Sequence, residues 1–388
     1  LTGFVSQKTA YHHGENSLVS TIISMAQNFL GSNNLNLLEP IGQFGSRLMG
    51  GKDSASARYI FTKLNEKSKI IFNSLDDFQL DFLIDDGMKI EPFYFMPIIP
   101  MILVNGAEGI GSGFSTSIPK FKIDDIKRTL INKLQNDKFN QIHPGYENFK
   151  GEIIRLDRTS YLSIGNYNLD GNKIIITELP IGLWTDDYKI YLDKLLDKEK
   201  WIRKIKNNST EKEILFKITI NDFALEMITS MNKEKLIELL KLRKKISLNN
   251  MHAFNFEGKI VKYNSVLDIL KEFYDLRLNA YEKRRLNQIK ILKEMIFIEE
   301  SKQKFIDAVI KNKLKIYQLD DNKLISSLDK MKLFKKNGYD YLLNISVRGM
   351  TRKSIEKSID KIKNMKKQLK DVNKISNKDM WLNELNII

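Results

Sequence analysis

Arg58 and Tyr59 stand side by side at the end of a glycine-rich stretch, GGKDSASARYIFT, residues 50–62. A tyrosine hydroxyl can serve as a covalent nucleophile. Its phenol suits reversible attack on a phosphodiester, because the phosphotyrosine ester keeps the energy of the broken bond and the phenolate leaves readily on resealing. A neighbouring arginine can hold a phosphate oxygen and offset the charge that grows in the transition state. Gly50 and Gly51 let backbone approach backbone, and Lys52, Ser54 and Ser56 supply donors for adjacent phosphates. The same residues also read as a surface tyrosine at the start of a structural element.

A second cluster, AYHHGE at residues 10–15, sets Tyr11, His12 and His13 just ahead of an apolar run. Adjacent histidines do not share a helix face as an i, i+4 metal pair does. Near a helix start, imidazoles can instead donate to phosphate or move a proton. No grouping of His with Asp or Glu gives a metal cage, so no metal ligand is expected. The chain has no cysteine, which excludes disulfides, thiolate zinc and a cysteine nucleophile. The glycines at 106, 109, 111 and 113 fit neither G-x-G-x-x-G nor G-x-x-x-x-G-K-[ST], which argues against a nucleotide loop.

The surrounding charge points to a polyanion. Lys and Arg number 63 against 48 Asp and Glu, a formal net charge of +15, which favours nucleic acid first. A lysine-rich coding bias also raises this figure. Hydrophobic residues make up 42% of 388, enough for two or three domains with real cores. No run of about eighteen apolar residues marks a membrane span, and no secretory leader opens the chain. Leu1 starts it without a methionine, which reads as a fragment.

The elements that must position these groups are legible in outline. Ser17–Leu30 carries apolar residues at helical spacing, with Asn16 or Ser17 as cap and Gly31 beyond the end. A second helix is expected from about Arg58 to Phe72, giving a helix–turn–helix arrangement in a basic chain. Residues from about 151 to 265 alternate strand-like pieces (KIIITELPI, EILFKITI) with helical ones (KEKLIELLKLRKKI), an α+β pattern. From residue 265 a long charged helix runs to about 310. Ile355, Ile359, Ile362, Leu369 and Val372, with Met365 or Lys366 in the gap, give a second helix at heptad spacing. Two long helices joined by about forty residues of short ones read as an antiparallel coiled-coil arm.

The block AYHHGENSLVSTIISMAQNFLGSNNLNLLEPIGQFGSRLMGGKDSASARYIFT closely resembles the DNA breakage–rejoining region of eukaryotic-type DNA topoisomerase II. PIIPMILVNGAEGIGSGFSTSIPKF, HPGYENFKG, ITELPIGLWTDDYK and YDYLLNISVRGMT extend the likeness in the same order over the whole chain. It is strong over residues 1–190 and looser in the arm.

The resemblance implies a mixed α/β, multidomain chain: a winged-helix domain at 1–150 lacking its first helices, an α+β tower at 151–264, and a coiled-coil arm at 265–388 with a small helical dimer gate at about 313–350. It implies that Tyr59 bonds to a DNA 5′ phosphate and that Arg58 stabilises the transition state. Tyr11, His12 and His13 fall at DNA-facing positions, Gln43, Arg47 and Lys52 in the catalytic loop, and Trp184 beside the DNA backbone. Ile110 matches an isoleucine wedged between base pairs, a role an apolar tip on a glycine-rich turn can fill. The gate cluster Tyr339, Tyr341, Leu342, Leu343 and Ile345 reads as an exposed apolar contact between two copies, or as the knob's own small core. Ala57 and Phe114 depart from the family's usual Pro and Trp, and the segment around Val347 diverges.

The implied partners are double-stranded DNA, a second copy, and the metal-binding and ATPase segments of the same enzyme; no membrane is implied. Mg²⁺ and ATP belong to the complete enzyme and are expected on those other segments, since neither an acidic EGDSA or D-x-D pattern nor an ATPase motif occurs here. A cellular copy is expected in the nucleus, a viral one in host cytoplasm. The alternatives are a chain of the bacterial gyrase or topoisomerase IV A type, and a non-catalytic DNA clamp of the same fold.

Overall fold

The computed structural model describes residues 1–111 and 113–388, a mixed α/β chain in two compact units. One comprises residues 1–277 and 382–388, the other residues 278–381.

The first unit opens with α1 (Thr2–Lys8) and α2 (Glu15–Ala26). α2 buries Leu18, Ile22 and Ala26 along one stripe, the i, i+4 spacing of a half-buried helix. It starts at Gly14 rather than an Asn16 or Ser17 cap, and ends four residues before the expected Leu30. The cause is Gln27, which turns extended. Its side-chain amide donates to the carbonyls of Phe44 (2.9 Å) and Gly51 (3.2 Å).

β1 (Leu38–Ile41) pairs antiparallel with β2 (Phe61–Leu64). The helix expected from Arg58 to Phe72 is therefore interrupted. Ala57–Tyr59 is a single 3-10 turn, Phe61–Leu64 is strand, and only Glu66–Ile71 (α3) is helical. The aromatic and β-branched run Ile60–Phe61–Thr62 favours extended backbone. Asn65 then caps α3 by accepting the Lys67 N–H.

Two hairpins follow, β3 (Phe82–Asp85) with β4 (Met88–Pro92) and, after the short α4 (Met101–Val104), β5 (Ala107–Gly111) with β6 (Phe114–Ile118). α5 (Ile123–Asn136) packs Ile126, Leu130 and Leu134 inward.

β7 (Glu152–Arg155) and β13 (Arg243–Ser247) flank β8 (Ser160–Ile164) in a three-stranded sheet. A four-stranded antiparallel sheet has the order β11 (Ile202–Asn207), β12 (Phe216–Ile220), β10 (Lys173–Glu178), β9 (Asn166–Asp170). One face of it carries Ile174, Ile176, Phe216 and Ile218. These pack with Tyr188 and Leu192 of α6 (Thr185–Lys198) and, beyond α7 (Leu225–Thr229), with Leu236 of α8 (Lys233–Leu239). Each such buried chain contributes roughly 1.5–3 kcal/mol. β14 (His252–Phe254) and β15 (Ile260–Lys262) form a last hairpin before α9 (Val266–Ile310), 45 residues long.

In the second unit, α10 (Asp321–Lys330) and α11 (Asp340–Leu343) build a small core with Phe305 and Ile306 of α9. Along α12 (Arg352–Lys374), Ile362 and Met365 pack on Ile296, so Met365 fills the heptad gap. The last helix, α13, is Asn377–Leu385. Among the described residues no helix is long and apolar enough to cross a membrane.

The five-residue gate cluster does not form an exposed patch. Leu342 is fully buried and Tyr339 nearly so, within the unit's own core. The Tyr339 hydroxyl donates to Asp329 (2.6 Å) and that of Tyr341 to the Phe334 carbonyl (2.5 Å). Tyr341 and Ile345 are half-buried against the same core, and only Leu343 reaches the surface. One turn of helix at Asp340–Leu343 turns its apolar side inward, which the cluster's composition alone did not reveal.

Candidate active site

Tyr59 is 70% exposed at the end of a loop whose other residues are held tightly. The Arg58 guanidinium lies 5.7 Å from the Tyr59 ring centre. The Tyr59 N–H donates to the Ser56 carbonyl at 2.9 Å, closing the 3-10 turn that presents both side chains to solvent.

Behind this turn, residues 43–55 fold back on themselves. Asp53 accepts from Ser46 twice, from the backbone N–H at 2.8 Å and the hydroxyl at 2.5 Å. The Gly51 N–H donates to the Ser46 carbonyl (2.9 Å), and the Ala55 N–H to that of Gln43 (2.9 Å). Gly45 and Gly50 both have left-handed backbone, and neither has room for a side chain. A Cβ at Gly45 would sit 2.6 Å from the backbone of Gly51, and one at Gly50 would sit 2.3 Å from the Trp184 indole. The glycines thus serve contact between chain segments.

The sequence-derived site residues separate into three groups. Lys52, Ser56, Arg58 and Tyr59 share the exposed rim of the loop, with Ser54 half-buried beside them. Arg47 and Trp184 lie underneath. Arg47 is 5% exposed and paired with the carboxylate of Glu178, itself 1% exposed. Glu178 also accepts the N–H groups of Leu179 (2.9 Å) and Lys150 (3.3 Å). Arg47 is therefore tied to Glu178 beneath the loop, on the wall of the cavity that Gln43 also lines. Trp184 covers Gly50 and meets Phe29 edge-on. The N–H of Asp186, at the start of α6, donates to the Leu48 carbonyl (3.1 Å), docking that helix on the loop. Gln43 lies between the groups, its amide donating to Glu211 at 3.2 Å.

Elsewhere in this unit, Tyr11 stacks edge-on against His13, and His12 Nε2 lies 3.2 Å from Asp85 at the end of β3. Ile110 is 89% exposed near the tip of the β5–β6 hairpin. That hairpin is braced from behind. The Thr116 hydroxyl donates to the His252 carbonyl (2.7 Å), and the Ser117 N–H to that of Asn250 (2.7 Å).

Sequence reading missed three contributors. Asp53 and Gln27 anchor the loop, and Asp53 stood in plain view inside the glycine-rich motif. The third is the open face of the four-stranded sheet. Register places Lys204 opposite Thr219, Lys206 opposite Lys217, Lys217 opposite Ile175 and Lys173 opposite Thr219. Four lysines thus share one face, and none has an ion-pair partner among the described residues. Lys204 and Lys206, two apart on a strand, carried the signal. Thr177, further along β10, lines a cavity of about 610 Å³ together with Gln43.

No three His, Cys, Asp or Glu side chains converge as a metal site among the described residues. Asp53, the carboxylate within the loop, is committed to Ser46. The described residues therefore offer no set of carboxylates that fits a magnesium ion.

The family model for the A subunit of DNA gyrase/topoisomerase IV matches residues 1–386. The chain belongs to this family. Its similarity is to eukaryotic and viral DNA topoisomerase 2. "DNA topoisomerase 2, mitochondrial" of Dictyostelium discoideum is 41% identical over 394 residues, covering 99% of this chain and 30% of that protein. "DNA topoisomerase 2" of Plasmodium falciparum is 38% identical over 424 residues, covering 99% and 30%. "DNA topoisomerase 2" of Acanthamoeba polyphaga mimivirus is 36% identical over 460 residues, covering 99% and 36%. The crystal structure of the Plasmodium falciparum topoisomerase II DNA-binding, cleavage and re-ligation domain superposes with a TM-score of 0.90 at 38% identity, over 99% of this chain and 56% of that one. The chain thus spans about a third of the curated topoisomerases it matches. The sequence resemblance to eukaryotic-type topoisomerase II holds, as does the mixed α/β fold.

Proposed function

We propose that this chain is the breakage–rejoining part of an ATP-dependent type IIA DNA topoisomerase, with Tyr59 as its nucleophile. The observation that carries this reading is an exposed Tyr59 with Arg58 against its ring, on a loop fixed by Asp53, Gln27 and the glycines. The Tyr59 hydroxyl gives up its proton to water as its oxygen bonds to phosphorus, the bond from phosphorus to the DNA 3′ oxygen breaks, and that oxygen takes up a proton from water. The protein is left on the 5′ phosphate. Resealing is the reverse: the 3′ hydroxyl attacks phosphorus and the tyrosine oxygen leaves. Arg58, with its planar donor fork, neutralises charge on the non-bridging oxygens.

Duplex DNA is held through Lys52, Ser54 and Ser56 near the nucleophile and through the lysine face of the sheet. Ile110 is the wedge that unstacks a base step, and Tyr11, His12 and His13 contact the backbone. In the same reading residues 1–150 are a winged-helix domain, 151–264 a tower and 265–388 a coiled-coil arm. Two copies act together, each cutting one strand so that a second duplex can pass. Mg²⁺ and ATP are assigned to other segments of the complete enzyme, and no step is assigned to either here. A cellular copy works in the nucleus, a viral one in host cytoplasm.

The deciding experiment is covalent capture. Tyr59→Phe in the complete enzyme keeps the ring and its packing and loses only the oxygen. It is expected to bind DNA normally and to yield no protein-linked DNA after denaturation. Protein-linked DNA from the Phe variant would assign the nucleophile elsewhere.

A further inference from the structure

Away from the loop, six aromatic rings gather around a cleft of about 340 Å³: Phe72, Phe95, Phe254, Phe256, Tyr263 and Phe273. They come from the end of α3, the segment before α4, the β14–β15 hairpin and the residues flanking its strands, and the first turns of α9. Phe72 and Phe95 meet edge-on with centres 5.8 Å apart. The lining has one carboxylate, Glu272. Its Oε2 accepts from the Tyr263 hydroxyl at 2.6 Å and its Oε1 from the Phe256 N–H at 3.4 Å. Both donors are neutral, and Glu272 makes no ion pair among the described residues. Burial, then the adjoining carboxylate, hold the Tyr263 phenol well above its ordinary range, so Tyr263 keeps its proton and stays a donor.

An aromatic wall attracts cations through its ring faces. A carboxylate held in that wall without a cationic partner adds the complementary charge and disfavours anions. Apolar lining with few polar groups, at this volume, is the form of a small-molecule site. We propose that the cleft binds a small apolar ammonium compound, whose charge Glu272 balances and whose body the rings enclose. The chain's overall +15 charge opposes this ligand. Screening over about 8 Å at physiological ionic strength confines that opposition, so the local field decides.

Met96 and Met101 line the cleft and serve as reporters when the chain carries ¹³C-methyl methionine. The probe is benzyltrimethylammonium, and 2-phenylethanol is its uncharged control. Saturable shifts of both methyls are expected with the cation, with affinity at least ten-fold above that for the alcohol. Glu272→Gln, which can still accept from Tyr263, is expected to weaken the cation about ten-fold and leave the alcohol unchanged. Phe95→Ala removes a ring that is 59% exposed, so the fold tolerates it, and it is expected to weaken both probes. Equal affinity for cation and alcohol in the unaltered chain, no saturable shift, or full cation affinity in a folded Glu272→Gln overturns the proposal. If Glu272→Gln does not fold, the two-probe comparison on the unaltered chain and Phe95→Ala decides.

Discussion

Asp53 accepts two hydrogen bonds from Ser46, one from its backbone N–H and one from its hydroxyl. These bonds close the loop that ends at Tyr59 and leave the carboxylate no role toward phosphate. Asp53→Ala is therefore expected to destabilise the fold by about 1–3 kcal/mol and to slow DNA cleavage at least ten-fold. The salt dependence of DNA binding should stay the same. A cleavage assay beside a salt titration separates the two; a shallower salt slope would mean that Asp53 acts on DNA contacts instead.

Arg58→Lys keeps the charge and loses the planar two-donor fork. Cleavage in the complete enzyme is expected to fall by two orders of magnitude or more, with DNA affinity nearly unchanged. Single-turnover cleavage measures this. A near-normal rate would reduce Arg58 to a binding residue.

Arg47 and Lys52, five residues apart, are expected to behave oppositely. Arg47→Met leaves Glu178 buried without its partner, a loss on the order of 3–5 kcal/mol, visible as a lower Tm. Lys52→Gln is exposed and should leave Tm in place while reducing the salt slope of DNA binding by about 0.9. Removing Lys204, Lys206 and Lys217 together should reduce that slope by about 2.7 if each meets a phosphate. An unchanged slope in the triple variant would take the sheet face out of the DNA path.

Ile110→Gly is expected to reduce DNA bending more than affinity, because phosphate contacts carry most of the binding while the wedge supports deformation. Energy transfer between dyes on a duplex reads the bend. Bending equal to that of the unaltered protein would reject the wedge.

The sequence made the chemistry more legible than the support. The proposed roles of Tyr59 and Arg58 can be read directly, because the hydroxyl, the cation and the permissive glycine backbone that they need lie within ten residues. The pairing of Arg47 is illegible for the opposite reason: its partner Glu178 is 131 residues away, and nothing local announces a buried ion pair. The Ile60–Thr62 run reads as helix because periodicity over so short a stretch does not separate the two forms; pairing with β1 decides for strand. The cluster at Tyr339–Ile345 reads either as an exposed contact or as a small core because its neighbours in sequence are polar, and what decides for core, Phe305 and Ile306, lies on a helix more than thirty residues upstream.

The crowding of Gly45 against Gly51 and of Gly50 against Trp184 bears on what would follow strand cleavage in the proposed reaction. In the proposed reaction the DNA end, once joined to Tyr59, is tethered to the protein by one side chain. A segment with no room for a methyl group has little room to wander, so the tether is short and its anchor fixed. On this reading the severed phosphate would stay where it was made. Return of the 3′ hydroxyl in the proposed reaction would then be a short local search.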